Sequence, residues 1–475
     1  MALRRVLGAV DATWLVAGSM IGAGIFYSPG LVAEQLPGIW PPLMAWLLGG
    51  LLALCGALVY AELGARMPRA GGDYRYLTRT FGPGWGFLSG WAAFTVTFSA
   101  AVAAMALVAV DYLLRALAPG FGDVAPGRRG YALLLVLTLT AANVFGARIS
   151  GRVTAWLTGL PVVALLALYG YGLLAGGEGA VPGTGPATPL DPLGALAPVE
   201  TTPQARPWGW GALATAMIPV YFTYTGWNAA AYLAGEIRDP GRNLTRALVA
   251  GTALVTALYL VINAILLCVV PPERMAGSTT AGGEAARLLL GEGGERLLSL
   301  VIAFAVAGTA NVTLMGGSRI YFAMAEDGLA PAALRRINAQ GVPGVALWCG
   351  GIWTALLTVL ADVQALVNWT TLAILLLSSL TVASLFRLRR REGTSREFRC
   401  PGYPVTPWIY LLASLAVAVA SSWQDPLQAA RGLLLVGVGV PVYLVVRSRP
   451  GTGAGEGDGA SDVGGVATST RDSSR

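Results

Sequence analysis

Long apolar runs, separated by short polar segments, make up most of the chain. A helix that crosses a bilayer core needs about 20 apolar residues. Twelve runs approach or exceed that length: 10–32, 39–62, 83–117, 129–147, 151–176, 209–235, 244–270, 295–325, 343–361, 364–388, 403–423 and 428–447. The pattern predicts an all-α integral membrane protein with twelve transmembrane helices.

The charges between the runs predict the orientation. The 475 residues include neither lysine nor histidine, so all 32 basic residues are arginine. With the N-terminus inside, 24 arginines fall in inner segments and 8 in outer ones, which is the bias expected of cytoplasmic loops. We therefore predict that both termini are cytoplasmic. No small-residue cleavage site follows the first run, so we predict that it remains as the first helix.

Composition then excludes whole classes of protein. Apolar residues make up 55% of the chain and charged residues 12%, whereas soluble domains carry about 25% charged residues. This excludes an ordinary soluble enzyme and a nucleic-acid-binding protein. Without histidine or lysine, most catalytic triads, HExxH zinc sites and Schiff-base mechanisms are also excluded. We expect no enzymatic activity, no metal and no cofactor.

Two runs contain glycines where an unbroken helix is expected. The first reads Gly18-Ser-Met-Ile-Gly22-Ala-Gly24-Ile-Phe26, and the sixth contains Tyr224-Thr-Gly226-Trp-Asn228. Glycine costs a helix about 1 kcal/mol relative to alanine. A GxxxG packing face would explain the first run alone. However, these runs are the first helices of two sets of five, and corresponding interrupted helices are typical of a transporter site built on inverted repeats.

The interruptions supply groups that suit the constant part of an α-amino acid. Unwound residues free backbone groups, and the N-terminus of the half-helix that follows carries partial positive charge. Amides suited to a carboxylate are those around Gly22, Ala23 and Gly24. Carbonyls suited to an ammonium group are those of Met20, Phe222 and Thr225.

The polar segments suggest how the chain is divided. Residues 177–207, rich in glycine and proline, are predicted to link repeat one (about 10–176) to repeat two (about 209–388). Two further helices follow at 403–447, which completes a membrane domain of residues 1–450. The remainder, 451–475, has almost no large apolar residues and is predicted to be a disordered cytoplasmic tail.

These motifs resemble the amino acid–polyamine–organocation permease superfamily. The resemblance rests on the first run, on Tyr224–Asn228 followed by Gly235-Glu-Ile-Arg-Asp-Pro-Gly-Arg-Asn-Leu244, on Tyr60-Ala-Glu-Leu63 with Pro68–Tyr76, and on Ser318–Leu329. Within the superfamily, Gly226-Trp-Asn228 and Gly308-Thr-Ala-Asn311 are most similar to the L-type amino acid transporter branch.

The resemblance implies a LeuT-like 5+5 inverted repeat with broken helices 1 and 6, and alternating access to a midplane site. The substrate-binding residues implied by position are Met20, Gly22, Ala23, Gly24, Ile25, Phe222, Thr225, Gly226 and Asn228. Phe222 would be an aromatic lid, and Trp227 and Tyr224 fit either the site or ordinary packing. Glu62 and Glu236 are predicted to form cytoplasmic gate or anchoring pairs with nearby arginines. The inner gate is predicted to consist of Glu236, Arg238 and the loop around Arg66–Arg79.

The sequence departs from the family pattern at three places. Ala23 stands where many relatives have serine, so a side-chain hydroxyl is missing and only the backbone could bind the substrate there. Pro161 aligns with a span-five lysine that substitutes for a bound cation in several members, and the chain has no lysine. Residues 115–130 contain no cysteine, so no disulfide-linked heavy chain is expected.

Acidic residues bear on the substrate. Runs 1, 3, 6, 8 and 10 have none at mid-depth, and those at span ends are predicted to be solvated or interfacial: Asp11, Glu62, Asp111, Glu236 and Glu326. Because an unpaired buried charge is costly, this predicts a neutral amino acid. The alternative is a cationic amino acid or polyamine permease; a nucleobase carrier or a sensor is less well supported.

Coupling is less well determined by the sequence. Thr309 and Thr313 lie where sodium-coupled relatives place hydroxyl ligands, but threonine hydroxyls also bond to their own helix. Exchange or facilitated movement is therefore the first hypothesis, with proton or sodium symport through some other group behind it. We expect a multi-pass protein of the plasma membrane, and the arginine- and glycine-rich composition indicates a GC-rich prokaryotic genome.

Overall fold

The computed structural model describes residues 5–69, 71–117, 127–145, 209–270, 272–278, 281–395 and 397–448, with a few isolated residues between 163 and 170. Within these ranges the regular structure is helical, apart from an isolated bridge between Leu7 and Ile237. The predicted fifth helix at 151–176, the linker at 177–207 and the tail at 451–475 lie outside the described residues.

The helices are numbered in chain order. They are α1 (Ala9–Met20), α2 (Ala23–Gln35), α3 (Trp40–Arg66), α4 (Asp73–Phe81), α5 (Pro83–Ala92), α6 (Ser99–Leu117), α7 (Arg128–Val144), α8 (Trp210–Thr223), α9 (Ala229–Tyr232), α10 (Pro240–Val269), α11 (Pro272–Met275), α12 (Ala281–Glu326), α13 (Gly344–Leu360), α14 (Val363–Glu392), α15 (Val405–Gln424), α16 (Pro426–Gly437) and α17 (Gly439–Arg447). A π-helical turn at Ala93–Thr97 joins α5 to α6, and 3-10 turns lie at Ala234–Glu236 and Ala332–Arg335.

Seven helical segments in the described residues are long and apolar enough to cross a membrane: α3, α5–α6, α10, α12, α14, α15 and α16–α17. The pair α1 and α2 meets the same criterion as one span bent by 47°, and α8 and α13 are shorter apolar helices. Eleven of the twelve predicted runs thus coincide with a helix or a helix pair. The chain is a multi-pass helical membrane protein.

The eighth predicted run is preceded by additional helical turns. The run was expected to begin at about 295; α12 begins at Ala281 but has non-helical backbone at Gly291 (φ 71°), so the helix that follows this kink begins within a few residues of the predicted start. The segment ahead of 295 is rich in glycine and glutamate, so its hydropathy is too low to mark it as part of the same element. The additional turns form a separate helical piece before the kink.

Small residues let the central helices approach closely. A Cβ atom on Gly49 of α3 would lie 2.3 Å from Val220 of α8, and one on Gly251 of α10 would lie 2.7 Å from Val16 of α1. Lipid tails are as apolar as the helix surfaces, so the hydrophobic effect does not drive helices together within a membrane. Close backbone packing of this kind supplies much of the stabilisation instead. These contacts hold α1 and α8, the two interrupted helices, against α3 and α10.

The bundle has a charged end, where α1 begins and α3 ends; we call it the α1 side. Glu62 of α3 has no solvent exposure there. It accepts hydrogen bonds from Arg66 (2.7 Å), Arg389 of α14 (3.0 Å) and the Cys400 amide (2.7 Å). Glu62 is therefore buried rather than solvated, and its pair with Arg66 is an anchoring pair with a nearby arginine, as predicted. Arg389 and Cys400, which lie more than three hundred positions away, could not be predicted as its partners.

Glu62→Gln should destabilise the bundle, because it leaves two arginines without their shared anion. Breaking a buried ion pair costs about 3–5 kcal/mol. Thermal unfolding in detergent should show a clearly lower midpoint. Glu392→Gln is the control: it removes a carboxylate that is 38% exposed and pairs with Arg79 at the same end, and surface pairs contribute about 0–1 kcal/mol. Equal midpoints for the two variants would contradict the role assigned to Glu62.

Candidate functional site

The first interruption lies between α1 and α2, at Ile21 and Gly22. Gly22 is extended, at φ −129° and ψ −154°, so the helical hydrogen-bond ladder stops there. The Met20 carbonyl accepts from the Tyr259 hydroxyl of α10 at 2.6 Å and from the Gly22 amide at 2.9 Å. The Thr309 hydroxyl of α12 contacts the Ile21 carbonyl. Neighbouring side chains thus take up carbonyls that the break frees.

The second interruption lies between Thr223, the last residue of α8, and Ala229, the first of α9. Gly226 sits in the intervening turn with φ 96°, a left-handed conformation that favours glycine. The Phe222 carbonyl accepts from the Thr225 amide (3.0 Å) and the Thr225 hydroxyl (2.6 Å). The turn therefore satisfies part of its own backbone.

The two interruptions touch each other. The Ser19 hydroxyl donates to the Gly226 carbonyl at 2.7 Å. A Cβ atom on Gly226 would lie 2.4 Å from the Ser19 carbonyl oxygen, and one on Gly24 would lie 2.6 Å from the Thr223 Oγ1. Glycine is thus needed at both positions for the close approach of the other segment, and at Gly226 also for its left-handed conformation.

A cavity lies on each side of these contacts. The α1-side cavity has a volume of about 90 Å³ and is bordered by Ser19, Asp73, Thr225, Gly226, Asn228 and Tyr232, among others. The opposite cavity, of about 330 Å³, is bordered by Tyr27, Ser28, Pro219, Phe222 and polar residues of α14 and α15. The two breaks therefore stand between two cavities.

The predicted site residues fall into three groups. Thr225, Gly226 and Asn228 line the α1-side cavity, whereas Phe222 lines the opposite one. The third group lies at the first break or just beyond it: Met20, Gly22, Ala23, Gly24 and Ile25. Within that group Ile25 is fully buried in the apolar core, and Ala23 is the first residue of α2.

The two aromatic residues left open by the sequence differ. Tyr224 is 2% exposed and donates to the Trp46 carbonyl of α3 at 2.9 Å, so it packs the break against its neighbour. Trp227 lines the α1-side cavity and lies edge-to-face against Tyr60, with ring centroids 4.8 Å apart. Trp227 therefore borders the cavity and also packs in the core.

A comparison with protein families covers the part of the chain that forms both breaks. A family model described as amino acid permease matches residues 7–443. The chain belongs to the amino acid permease family. The match covers both interruptions, both cavities and the ion pairs of the α1 side, and it confirms the superfamily recognised from the motifs.

Three relatives are similar to this chain over most of its length. The permease is 31% identical to human "large neutral amino acids transporter small subunit 2" over 451 residues, which are 94% of this chain and 81% of that protein. It is 29% identical over 457 residues to mouse "Asc-type amino acid transporter 1", covering 95% and 83% of the two chains. It is 28% identical over 452 residues to the "serine/threonine exchanger SteT" of Bacillus subtilis (strain 168), covering 94% and 98%. These relatives support the L-type resemblance.

The partner predicted for Glu236 is wrong. Its carboxylate pairs with the Nε of Arg319 on α12 at 3.0 Å, rather than with Arg238. Both side chains are buried, at 6% and 1% exposure. Arg238 instead takes part through its backbone amide, which donates to the Leu7 carbonyl at 2.9 Å. Glu236 thus connects the end of the second broken helix to α12.

The arginines around 66–79, predicted to join the Glu236 network, have other partners. Arg66 binds Glu62, Arg75 binds Asp327 at 2.6 Å and Arg79 binds Glu392 at 3.1 Å. Arg66 also lies 4.0 Å from Glu392, so a connected network exists at this end. It consists of Arg79, Glu392, Arg66, Glu62 and Arg389, while Glu236 pairs with Arg319 instead. Local sequence could place the charges at one end of the bundle but could not choose their partners.

The sequence missed one acidic residue that borders the cavity. Asp73, the first residue of α4, is 8% exposed and lines the α1-side cavity with Tyr232. The signal was present in Gly71-Gly72-Asp73-Tyr74, which counted only as family resemblance. Because α4 is short and polar, searching the long apolar runs for acidic residues could not find it.

Gly226→Ala should disrupt the contact between the breaks. Alanine at this φ costs about 1–3 kcal/mol, and its Cβ would meet the Ser19 carbonyl. We expect a lower unfolding midpoint and loss of transport in proteoliposomes. Gly211→Ala on α8 is the control, since a Cβ there meets no atom within 4 Å. If Gly226→Ala behaved like the control, the interlocking of the breaks would not matter for transport.

Proposed function

We propose that the permease exchanges neutral amino acids across the plasma membrane by alternating access. The observation that carries the proposal is the contact between two interrupted helices with a cavity on either side. A substrate held at the breaks would lie between the cavities, and small rearrangements of the half-helices would connect it to one side or the other. The named activities of the three relatives support amino acids as the substrates.

The constant part of the substrate would be held by backbone groups. The amides of Ala23 and Gly24 in the first turn of α2 have no carbonyl one turn before them, which suits a carboxylate. The Gly22 amide would join them by leaving the Met20 carbonyl, to which it donates at 2.9 Å. The carbonyls of Met20, Phe222 and Thr225 would receive the ammonium group. Phe222 would close the site from the side of the larger cavity.

The surroundings of the acidic residues favour a substrate whose side chain is neutral. Asp73 is the acidic residue that borders the α1-side cavity in the described part of the chain. One of its carboxylate oxygens accepts from Tyr60 and the other from Tyr232. A cationic side chain would have to compete with both hydroxyls, whereas Asn228 offers a neutral polar surface at the same cavity.

Thr309 supports exchange without sodium. Its hydroxyl lies 3.0 Å from the Gly18 carbonyl and 3.2 Å from the Ala305 carbonyl, and it also contacts the Ile21 carbonyl. The hydroxyl proton therefore has protein acceptors, which is the structural alternative to a role as a cation ligand. Thr313 in turn bonds back to the Thr309 carbonyl at 2.9 Å. Proton- or sodium-coupled transport of cationic amino acids or polyamines is the alternative.

We further propose the architecture expected from the sequence. It comprises twelve spans, with inverted repeats at about 10–176 and 209–388, two extra helices at 403–447 and cytoplasmic termini. The α1 side would then face the cytoplasm. The absence of cysteine from residues 115–130 supports a permease without a disulfide-linked heavy chain. Prokaryotic origin stays a prediction from composition.

Transport in proteoliposomes tests the function. A mixed panel of labelled neutral amino acids should enter vesicles preloaded with unlabelled amino acid and enter empty vesicles far more slowly. Labelled arginine and polyamines should be excluded, and sodium should have no effect. Accumulation in empty vesicles under a proton or sodium gradient would replace exchange with symport. Entry of arginine or polyamine alone would overturn the substrate class.

The pair between Glu236 and Arg319 tests the gate. Glu236→Gln should weaken closure of the α1 side, because Arg319 is left buried without its anion. We expect the ratio of half-saturation constants at the two membrane faces to shift several-fold. Glu326→Gln serves as the control, since that carboxylate is 46% exposed. An unchanged ratio in a folded Glu236→Gln protein would remove Glu236 from the gate.

A further inference from the structure

Three carboxylates of the described residues are buried at the α1 side, and they differ in their partners. Glu62 binds Arg66 and Arg389, and Glu236 binds Arg319. Among the described residues, the hydrogen bonds that reach Asp73 come from the Tyr60 and Tyr232 hydroxyls, at 2.7 Å for Tyr232. Asp73 is therefore the one of the three that is buried without an arginine, and it is also the one that borders the cavity.

Asp73 is connected directly to the broken helix. The Asn228 side chain donates to the Tyr232 hydroxyl at 3.1 Å, and that hydroxyl donates to Asp73. The backbone around Asp73 packs on the same tyrosine: the Gly71 amide donates to the Tyr232 carbonyl at 3.2 Å. A Cβ atom on Gly72 would lie 2.4 Å from the Tyr232 ring. Movement of α9 would therefore change the surroundings of the carboxylate.

The titratable groups that face Asp73 are phenols. Tyr60 on α3, Tyr76 on α4, Tyr221 on α8 and Tyr232 on α9 each interact with it. A phenol ordinarily titrates near pH 10, so all four are neutral at physiological pH. Thr381 on α14 is the further polar neighbour. The surroundings thus supply hydroxyl dipoles, and no cation among the described residues offsets the charge of the carboxylate.

We propose that Asp73 is a proton-binding site whose protonation favours the closed form of the α1 side. The closed form is the one in which Asp73, Tyr232 and Glu236 are buried. The inference rests on the proposed alternating access, because it assigns Asp73 to the opening of one end of the pathway. It adds a proton to the neutral amino acid as a ligand of the same cavity.

The direction of the effect follows from burial. Burial raises the pKa of the Asp73 carboxyl, while the hydrogen bonds from Tyr60 and Tyr232 act in the opposite sense and only partly offset it. Opening would hydrate the carboxyl and return its pKa toward the ordinary value. The closed form therefore binds the proton more tightly, and this stabilisation is lost as the pH rises through the raised pKa. Acid on the α1 side should slow exchange.

Infrared difference spectroscopy of the purified permease tests proton binding without measuring transport. The protonated carboxyl should give a carbonyl band that titrates above the range of an exposed aspartate and is missing in Asp73→Asn. Asp327→Asn is the matched control, because Asp327 also accepts from a tyrosine but is paired with Arg75. A titrating band that persists in Asp73→Asn would assign the proton elsewhere and overturn the proposal.

Exchange at a fixed pH outside the vesicles and a varied pH at the α1 side tests the coupling. Wild type and Asp327→Asn should both slow several-fold in acid, whereas Asp73→Asn should lose the pH dependence. Tyr232→Phe removes a donor to the ionised form, so it should move the acid inhibition to higher pH. This variant provides a readout if Asp73→Asn does not fold.

The two proposals fail in different ways. If wild type shows no exchange while the Asp73 band titrates, the proposed function is wrong and the proton site stands. If exchange is robust and identical in its pH dependence for wild type and Asp73→Asn, the proton site is wrong and the function stands. An unmoved pH profile in Tyr232→Phe also contradicts the proton site.

Discussion

A membrane interior offers no water to backbone groups, and this constraint governs the structure around the two broken helices. Each carbonyl released by a break must find a donor in the protein or face a cavity, because an unsatisfied group in hydrocarbon costs several kcal/mol. The Tyr259 hydroxyl donates to the Met20 carbonyl, the Thr309 hydroxyl donates to a carbonyl near the end of α1, and the Ser19 hydroxyl donates to the Gly226 carbonyl. These donors come from α1, α10 and α12, so satisfying the breaks draws the central helices together.

The same constraint makes the breaks dependent on each other. Ser19 of the first broken helix donates into the second, and the glycines at both breaks admit the backbone or side chain of the other. Neither break can be rearranged without releasing a hydrogen bond that the other provides. A concerted movement therefore costs less than two separate ones, which is the behaviour that alternating access at a shared site requires.

Sequence could predict what depends on composition along the chain and could not predict what depends on distant partners. The apolar runs and the two breaks follow from hydropathy and from glycines such as Gly22 and Gly226. The partner of Glu236 does not, because Arg319 lies 83 positions away and Arg238 is the nearest arginine in sequence. Asp73 could not be identified from the apolar runs because its helix is short and polar. Its burial could not be predicted either, because it depends on tyrosines from α3 and α9. Pairing at the charged end is a tertiary property.

The donors at the breaks also imply an asymmetry in how a substrate would be held. Helix N-termini leave amides without intrahelical partners, so the amides of Ala23 and Gly24 would meet a carboxylate without displacing a protein group, whereas the Gly22 amide already donates to the Met20 carbonyl. The carbonyls differ, since those of Met20 and Phe222 already accept from Tyr259 and Thr225. An ammonium group would have to use a second lone pair or replace a hydroxyl. In the proposed binding mode, an ammonium group would thus perturb the contacts that hold the breaks in place, whereas a carboxylate bound by Ala23 and Gly24 would not. The amino group would then be the part of the substrate best placed to drive the change of conformation.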